Sequence, residues 1–183
     1  MNSIWGQSRT CENSVVETTP IYTHTHLIVT TNGFPSMPVP NDNPLTTEGV
    51  ALGRKLFYDP ILSNDSTQSC ASCHQQEYAF SDPRQFSIGI DGISGSRNAS
   101  AIVNPGWLPS SFWDGRVITL EEQAEEPVSS PIEMHEDWAD AVAKLQNHST
   151  YPADFKAAFS EGKITKKLVT MAIAQFERTL ISD

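Results

Sequence analysis

The chain has few basic residues: 12 Lys and Arg stand against 22 Asp and Glu, which gives 183 residues a formal net charge of -10. Nucleic-acid binding requires clustered cations, so this balance argues against it, and it also disfavours an anionic membrane surface. No apolar run approaches the roughly 18 residues of a membrane-spanning helix. A basic protein partner or a neutral small substrate remains compatible with this charge.

The N-terminus lacks the features of an export signal, because Met1 to Thr10 contain one Arg and no apolar core. Thr, Asn, Ser and Pro dominate residues 1–42, which we predict to be an irregular extension. One β-like run, Tyr22 to Thr30, interrupts it. We expect the domain itself to span residues 43–183.

Strand signals are nearly absent, and apolar residues recur at helical spacing from Thr46 onward. We expect Asp59-Pro60 to end the first helix. A later helix should start at the capping box of Thr119 and be limited by Pro127, and Thr165 should cap the last helix. The apolar faces comprise Val50, Leu52, Leu56 and Phe57; Trp138, Ala141, Val142 and Leu145; Phe155, Ala158 and Phe159; and Val169, Ile173, Phe176 and Leu180. The stretch from Ser81 to Ser111 is predicted to be a long ordered loop. The fold class is therefore mainly α.

Cysteine is scarce, and two of the three cysteines lie in Cys70-Ala-Ser-Cys73-His74, the attachment signature of a c-type haem. Two thiols three residues apart on one helical turn can each add to a haem vinyl group, and His74 can then bind the iron. A redox dithiol would need βαβ surroundings, and a zinc site would need a second ligand pair, whereas only Cys11 remains. The motif predicts one covalent haem c per chain.

Haem attachment takes place outside the cytoplasm, so we expect a periplasmic protein whose signal peptide has been removed or omitted. Cys11 lacks the small apolar residues that precede a lipidated cysteine. We therefore interpret it as a free or intermolecular thiol.

The ligand opposite His74 determines what the haem does, because a strong ligand favours electron transfer and an open position allows peroxide to bind. Met134, sixty residues downstream, suits the methionine ligand of a small electron-transfer cytochrome. Its alternative role is to fill the core, as methionine usually does and as expected for Met37 and Met171. His24, His26, His135 and His148 are also candidate iron ligands in principle. We expect His24, His26 and His148 to lie on the surface.

Several motifs, in order, resemble the N-terminal haem domain of the bacterial di-haem cytochrome c peroxidases, the superfamily that includes the MauG proteins. The resemblance runs from about Asn43 to the end. It is carried by Leu52-Gly-Arg-Lys-Leu-Phe-Tyr-Asp-Pro60, Ser87-Ile-Gly89, Arg97-Asn-Ala99, Phe112-Trp-Asp-Gly-Arg116, Leu120-Glu-Glu-Gln-Ala124, Ile132-Glu-Met134 and Phe176-Glu-Arg-Thr-Leu180. It implies a cytochrome c-like helical domain with long ordered loops.

The resemblance also implies roles for individual residues. His74 would be the proximal ligand of the peroxidatic haem, Glu133 the catalytic acid and base, and Gln123 the amide that orients peroxide. Trp113 would lie between two haems, and Asn98 would bind a bridging calcium. The implied reaction is the reduction of hydrogen peroxide to water with electrons from a small cytochrome c or copper protein.

Each role has an ordinary alternative that the residues alone leave open. Glu133 is then a solvated carboxylate, Gln123 an exposed helix residue, and Trp113 a core residue beside Phe112. Asn98 offers a single amide oxygen, which does not by itself make a calcium site.

The sequence departs from the family pattern at two points. Many members carry an iron-capping histidine after Ser-Ile-Gly, where this chain has Ile90, so we expect an open or water-bound iron unless His135 swings in. Members also continue into a second haem domain, whereas this chain has one attachment motif. We expect the partner domain to be on another chain or to have been truncated, and this half alone to be an impaired peroxidase.

Two other functions remain open. One is a mono-haem electron-transfer cytochrome with His74 and Met134 as axial ligands. The other is a MauG-like enzyme that oxidises a protein side chain and uses peroxide as co-substrate.

Overall fold

Six α-helices follow one another in the computed structural model, which describes residues 24–25 and 33–182. They are α1 (Thr47–Tyr58), α2 (Cys70–Cys73), α3 (Leu120–Ser129), α4 (Trp138–Asn147), α5 (Tyr151–Phe159) and α6 (Lys166–Glu177). Single turns of 3-10 helix lie at Pro60–Leu62, Gln76–Tyr78, Ile90–Gly92 and Pro105–Trp107. In these ranges β pairing is limited to isolated bridges, such as the one between Thr25 and Thr46. The prediction of a mainly α fold is confirmed.

The predicted helix starts are confirmed by the capping contacts. The side chains of Thr46, Thr119 and Thr165 accept hydrogen bonds from the backbone amides at the starts of α1, α3 and α6. Asp59 adopts an extended backbone and ends α1 where the sequence predicted. The stretch from Ser81 to Ser111 forms loops with only two short 3-10 turns, also as predicted.

The structure differs from the sequence expectation near the ends of two helices. Pro127 lies inside α3, which continues to Ser129, because a proline in the last turn removes only the hydrogen bond to the Gln123 carbonyl. Leu180 lies beyond α6, since the chain after Glu177 tightens into turns and the Leu180 carbonyl accepts a hydrogen bond from the Asn104 amide at 2.8 Å.

The core lies between α1, α6, α3 and α5, and α1 packs most extensively on α6. Gly53 makes this contact close, because a Cβ at this position would lie 1.9 Å from the Ala172 carbonyl oxygen. The largest buried apolar side chains come from all four helices and the first 3-10 turn, and include Leu56, Phe57, Leu62, Val128, Tyr151, Phe155, Val169 and Ile173. None of the helices in the described ranges has the length and apolar composition needed to cross a bilayer.

A buried polar network joins the start of α1 to α3 and α6. Arg178 donates two hydrogen bonds to the Glu121 carboxylate, at 2.8 and 3.0 Å, and Asn43 donates to the same group at 2.6 Å. Gln175 donates to Asn43 and accepts from the Thr46 amide. These bonds fix the orientation of α3, the helix that carries Gln123.

Candidate haem site

The two motif cysteines occupy the first and last positions of the one-turn helix α2, where side chains three residues apart share a face. No disulfide joins Cys70 and Cys73. Desolvation raises the pKa of Cys70 to about 12, and the nearby Glu177 contributes to this shift. Desolvation also raises the pKa of Cys73. A reactive dithiol needs a lowered thiol pKa, so these environments do not suit the redox-dithiol alternative.

His74 directly follows α2, and its ring is held in a definite orientation. Its Nδ1 lies 2.9 Å from the Phe80 carbonyl oxygen, which assigns the proton to Nδ1 and leaves the Nε2 lone pair for a metal. Left-handed backbone conformations at Ala79 and Phe80, with φ of 56° and 55°, turn the chain back toward His74. Desolvation lowers the His74 pKa, which keeps the imidazole neutral and able to coordinate iron.

The residues around α2 fit a covalently attached haem. Two thiols on one turn and a neutral imidazole oriented through its Nδ1 form the donor set that thioether attachment requires. Glu177, whose charge affects Cys70, is 3% exposed, and its Oε2 is buried without a hydrogen-bond partner among the described residues. A large polar cofactor beside Cys70 would give this carboxyl a neighbour.

Glu133 lies in the loop between α3 and α4, and neighbouring backbone fixes the loop. The Ile90 amide donates to the Glu133 carbonyl at 2.8 Å, and the Asn64 amide donates to the Met134 carbonyl at 3.0 Å. The Met134 amide in turn donates to the Pro127 carbonyl of α3 at 3.1 Å. Glu133 reaches the surface, yet the surrounding protein desolvates its carboxyl enough to raise its pKa.

Arg116 and Glu126 lie close enough to Glu133 to act on its charge in opposite directions: Arg116 lowers its pKa and Glu126 raises it. Arg116 forms ion pairs with both Glu126 and Asp114. Gln123 precedes Glu126 by three residues on α3, so the two side chains share a helix face. The structure thus brings Glu133 near Glu126, on the α3 face that also carries Gln123.

Trp113 is 66% exposed, so the alternative that it belongs to the core is wrong. Its indole nitrogen donates to the Asn98 carbonyl at 3.0 Å, which fixes the ring on the surface. The Asn98 side-chain nitrogen donates to the carbonyls of Asp82 and Arg84, and its Oδ1 lies 3.5 Å from a serine hydroxyl. In the part of the chain that the structure describes, no three His, Cys, Asp or Glu side chains come together as a metal cluster. Calcium binding at Asn98 stays a prediction.

The other candidate iron ligands have ordinary environments. Met134 is 4% exposed and packs in the hydrophobic core, as does Met171, while Met37 lies against Gly106. His135 and His148 are exposed, and His148 was predicted to be so. His24 is exposed and hydrogen-bonds to Glu48. Cys11, His26 and most of the β-like run Tyr22–Thr30 lie outside the described residues.

Comparison with known proteins identifies the family of this chain. A profile of the di-haem cytochrome c peroxidases matches residues 47–183. The chain belongs to this family. It is 39% identical over 148 residues to the methylamine utilization protein MauG of Methylophilus methylotrophus, which covers 81% of this chain and 44% of that protein. It is 40% identical over 149 residues to the cytochrome c peroxidase Ccp of Escherichia coli K12, covering 81% of this chain and 32% of that protein.

A solved structure shows the same fold in this family. The crystal structure of a MauG-like protein associated with microbial copper homeostasis is similar with a TM-score of 0.77 and 39% identity, covering 84% of this chain and 46% of that one. The chain thus spans less than half the length of these relatives. Di-haem cytochrome c peroxidases are haem-dependent oxidoreductases, and membership implies haem c as the cofactor.

Sequence reasoning found the attachment motif and the distal candidates but missed their supports. The Phe80 carbonyl that orients His74 is a backbone group, so no residue type indicates it. The buried Glu177 and Arg178, the partner of Glu121, both lie in the Phe-Glu-Arg-Thr-Leu motif, which is the signal that could have indicated them.

Proposed function

We propose that this chain is the peroxidatic haem domain of a periplasmic di-haem peroxidase. Each hydrogen peroxide takes two electrons and two protons and becomes two waters, with a small cytochrome c or copper protein as the electron donor. The observation that carries the proposal is the hydrogen bond from Ile90, in the segment after the haem motif, to Glu133, whose carboxyl has a raised pKa.

One haem c, held by Cys70, Cys73 and His74, would supply the redox-active iron. The protein residues would control protons and orientation. Glu133 accepts a proton from one peroxide oxygen at its carboxylate and delivers it to the other, which leaves as water. Its raised pKa brings the protonated and ionised forms closer in free energy at neutral pH. Gln123 orients peroxide through its amide without adding charge.

The remaining parts of the proposal concern the second haem domain. Ile90 cannot bind iron, so it would leave the iron of a bound haem open to peroxide without prior reduction. The exposed Trp113 provides an oxidisable ring for electron transfer from a second haem domain that covers it. A calcium ion at that boundary would use the Asn98 amide oxygen.

Replacement of Glu133 by glutamine tests the proposed chemistry. In the haem-loaded protein, Glu133→Gln is expected to lower the bimolecular rate constant with peroxide by about 100-fold or more, because the amide cannot accept the proton. Glu122→Gln, an exposed carboxylate on α3, is the matched control and should keep the wild-type rate constant. A wild-type rate constant in Glu133→Gln, measured by stopped-flow absorption, would refute the proposal.

A second candidate, oxidation of a protein side chain, is favoured by the exposure of Trp113 and by the similarity to MauG proteins. Peroxide-dependent covalent change in a partner protein, detected by mass spectrometry, would identify it. The mono-haem carrier is not favoured, because Met134 packs in the core.

A further inference from the structure

Gly89 makes a backbone-to-backbone contact that no other residue would permit. A Cβ at this position would lie 2.1 Å from the Ile132 carbonyl oxygen and 2.7 Å from both Cα and the carbonyl oxygen of Glu133. The φ of Gly89 is -93°, which other residues also adopt, so the glycine is required by space and not by conformation. All three nearest atoms belong to the Ile132–Glu133 backbone, so no flexible side chain could move aside.

The segment around Gly89 is fixed on both of its flanks. Gly89 donates its amide to the Ile93 carbonyl at 2.9 Å, and Ile90 donates to the Glu133 carbonyl at 2.8 Å. The Ile90 side chain is 2% exposed, which anchors the segment in the protein interior. One side of the segment is therefore bonded directly to the backbone of Glu133.

The other side of the segment lies against the haem-attachment turn. The Cys73 Sγ is 4.0 Å from the Ile88 carbonyl oxygen. Ile88, Gly89 and Ile90 thus connect an attachment cysteine to the backbone of Glu133 in three consecutive residues. A shift of this short segment would change the position of the Glu133 carboxyl relative to the attachment turn.

We propose that Gly89 and Ile90 are positioning residues that set the distance between the Glu133 carboxyl and the haem-attachment turn. The proposal rests on the catalytic role proposed for Glu133. Gly89 allows the two backbones to touch, and Ile90 holds them together through its amide and its buried side chain. Proton transfer depends steeply on such geometry, and a displacement of about 1 Å costs up to about 100-fold in rate.

Gly89→Ala tests the positioning role, and Gly95→Ala is the matched control in the same loop. A Cβ on Gly95 would meet nothing closer than 3.4 Å. In the haem-loaded protein, Gly89→Ala should lower the rate constant with peroxide by about 10- to 100-fold and flatten its dependence on pH, which is also expected of Glu133→Gln. Gly95→Ala should match the wild type.

Two further readouts separate positioning from general damage. Cyanide binding to the ferric haem consumes HCN and needs a distal base, so its rate should fall in Gly89→Ala without any turnover. Amide hydrogen exchange of the peptides that contain Ile90 and Glu133 should speed up together in Gly89→Ala. If Gly89→Ala does not retain haem, Ile90→Ala, which loosens the segment without a collision, should show smaller changes of the same kind.

The combined variant distinguishes the possible failures. Adding Gly89→Ala to Glu133→Gln should cause little further loss, because both changes remove the same proton transfer. Additive losses of the rate constant in the double variant would overturn the positioning role alone. The same conclusion would follow if Gly89→Ala kept the wild-type rate constant, pH profile and hydrogen exchange while Glu133→Gln lost its reactivity with peroxide. A wild-type rate in Glu133→Gln would overturn the proposed function and the positioning role with it.

Discussion

At the scale of single residues, the Phe80 carbonyl sets the orientation of the His74 ring, because its oxygen lies 2.9 Å from Nδ1. The spacing of Cys70, Cys73 and His74 in the sequence identified the attachment site, since the chemistry is local to five consecutive residues. The orientation of His74 depends on the Phe80 carbonyl, which reaches the ring only because Ala79 and Phe80 adopt left-handed conformations. Neither residue type favours that conformation strongly, so the sequence carries no signal for it.

Glu177 carries a prediction about stability at this scale. Desolvation raises its pKa to about 8, with Arg178 lowering it and Glu121 raising it by smaller amounts. Between the ordinary carboxyl pKa near 4.5 and about 8, the folded protein binds more protons at this site than the unfolded chain, so stability falls as pH rises through this window. The slope from this one group approaches about 1.4 kcal/mol per pH unit.

Glu177→Gln should remove the contribution of Glu177 to the fall in unfolding free energy as the pH rises. Urea unfolding of the haem-loaded protein at pH 5 and pH 7.5 should show a smaller loss of unfolding free energy in Glu177→Gln than in the wild type. Glu122→Gln, on the exposed face of α3, should keep the wild-type difference. Equal pH dependence in Glu177→Gln and the wild type would show that Glu177 is not held protonated by the fold.

At the scale of helices, periodicity predicted α1, α4, α5 and most of α6, because each carries an apolar face with recognisable ends. The differences at Pro127 and Leu180 have separate causes. The proline is tolerated in the last turn of α3, and the chain at Leu180 is bonded to Asn104, which lies far away in sequence. The close crossing of α1 and α6 also depends on a distant pair, Gly53 and Ala172.

Gly53→Ala tests the importance of that crossing. Alanine ordinarily stabilises a helix by about 1 kcal/mol over glycine, but here the added methyl group meets the Ala172 backbone. We expect a net loss of about 1–3 kcal/mol in unfolding free energy, measured by urea denaturation. Gly162→Ala, where nothing lies within 4 Å, should change it by less than about 1 kcal/mol. A more stable Gly53→Ala protein would show that α1 and α6 do not pack as closely as described.

At the scale of the whole molecule, the order of motifs was more informative than composition. The excess of acidic residues argues only against nucleic acid and anionic membranes as partners. The series of motifs indicates the family and its mainly α fold. Sequence could not predict that Trp113 is exposed, because exposure depends on how the loop after Pro105–Trp107 lies on the surface. An exposed indole fixed by a hydrogen bond to Asn98 agrees with the proposal that a second haem domain covers this face.

The central claim is that His74 binds the haem iron and that the side of the iron opposite His74 is open to peroxide beside Glu133. The absorption spectrum of the ferric, haem-loaded protein tests this most directly, since it reports spin state and axial ligation together. We predict a high-spin spectrum that changes rapidly when peroxide is added. A low-spin spectrum with a methionine-to-iron charge-transfer band, lost in Met134→Ala, or a low-spin bis-histidine spectrum unaffected by peroxide, would contradict the claim.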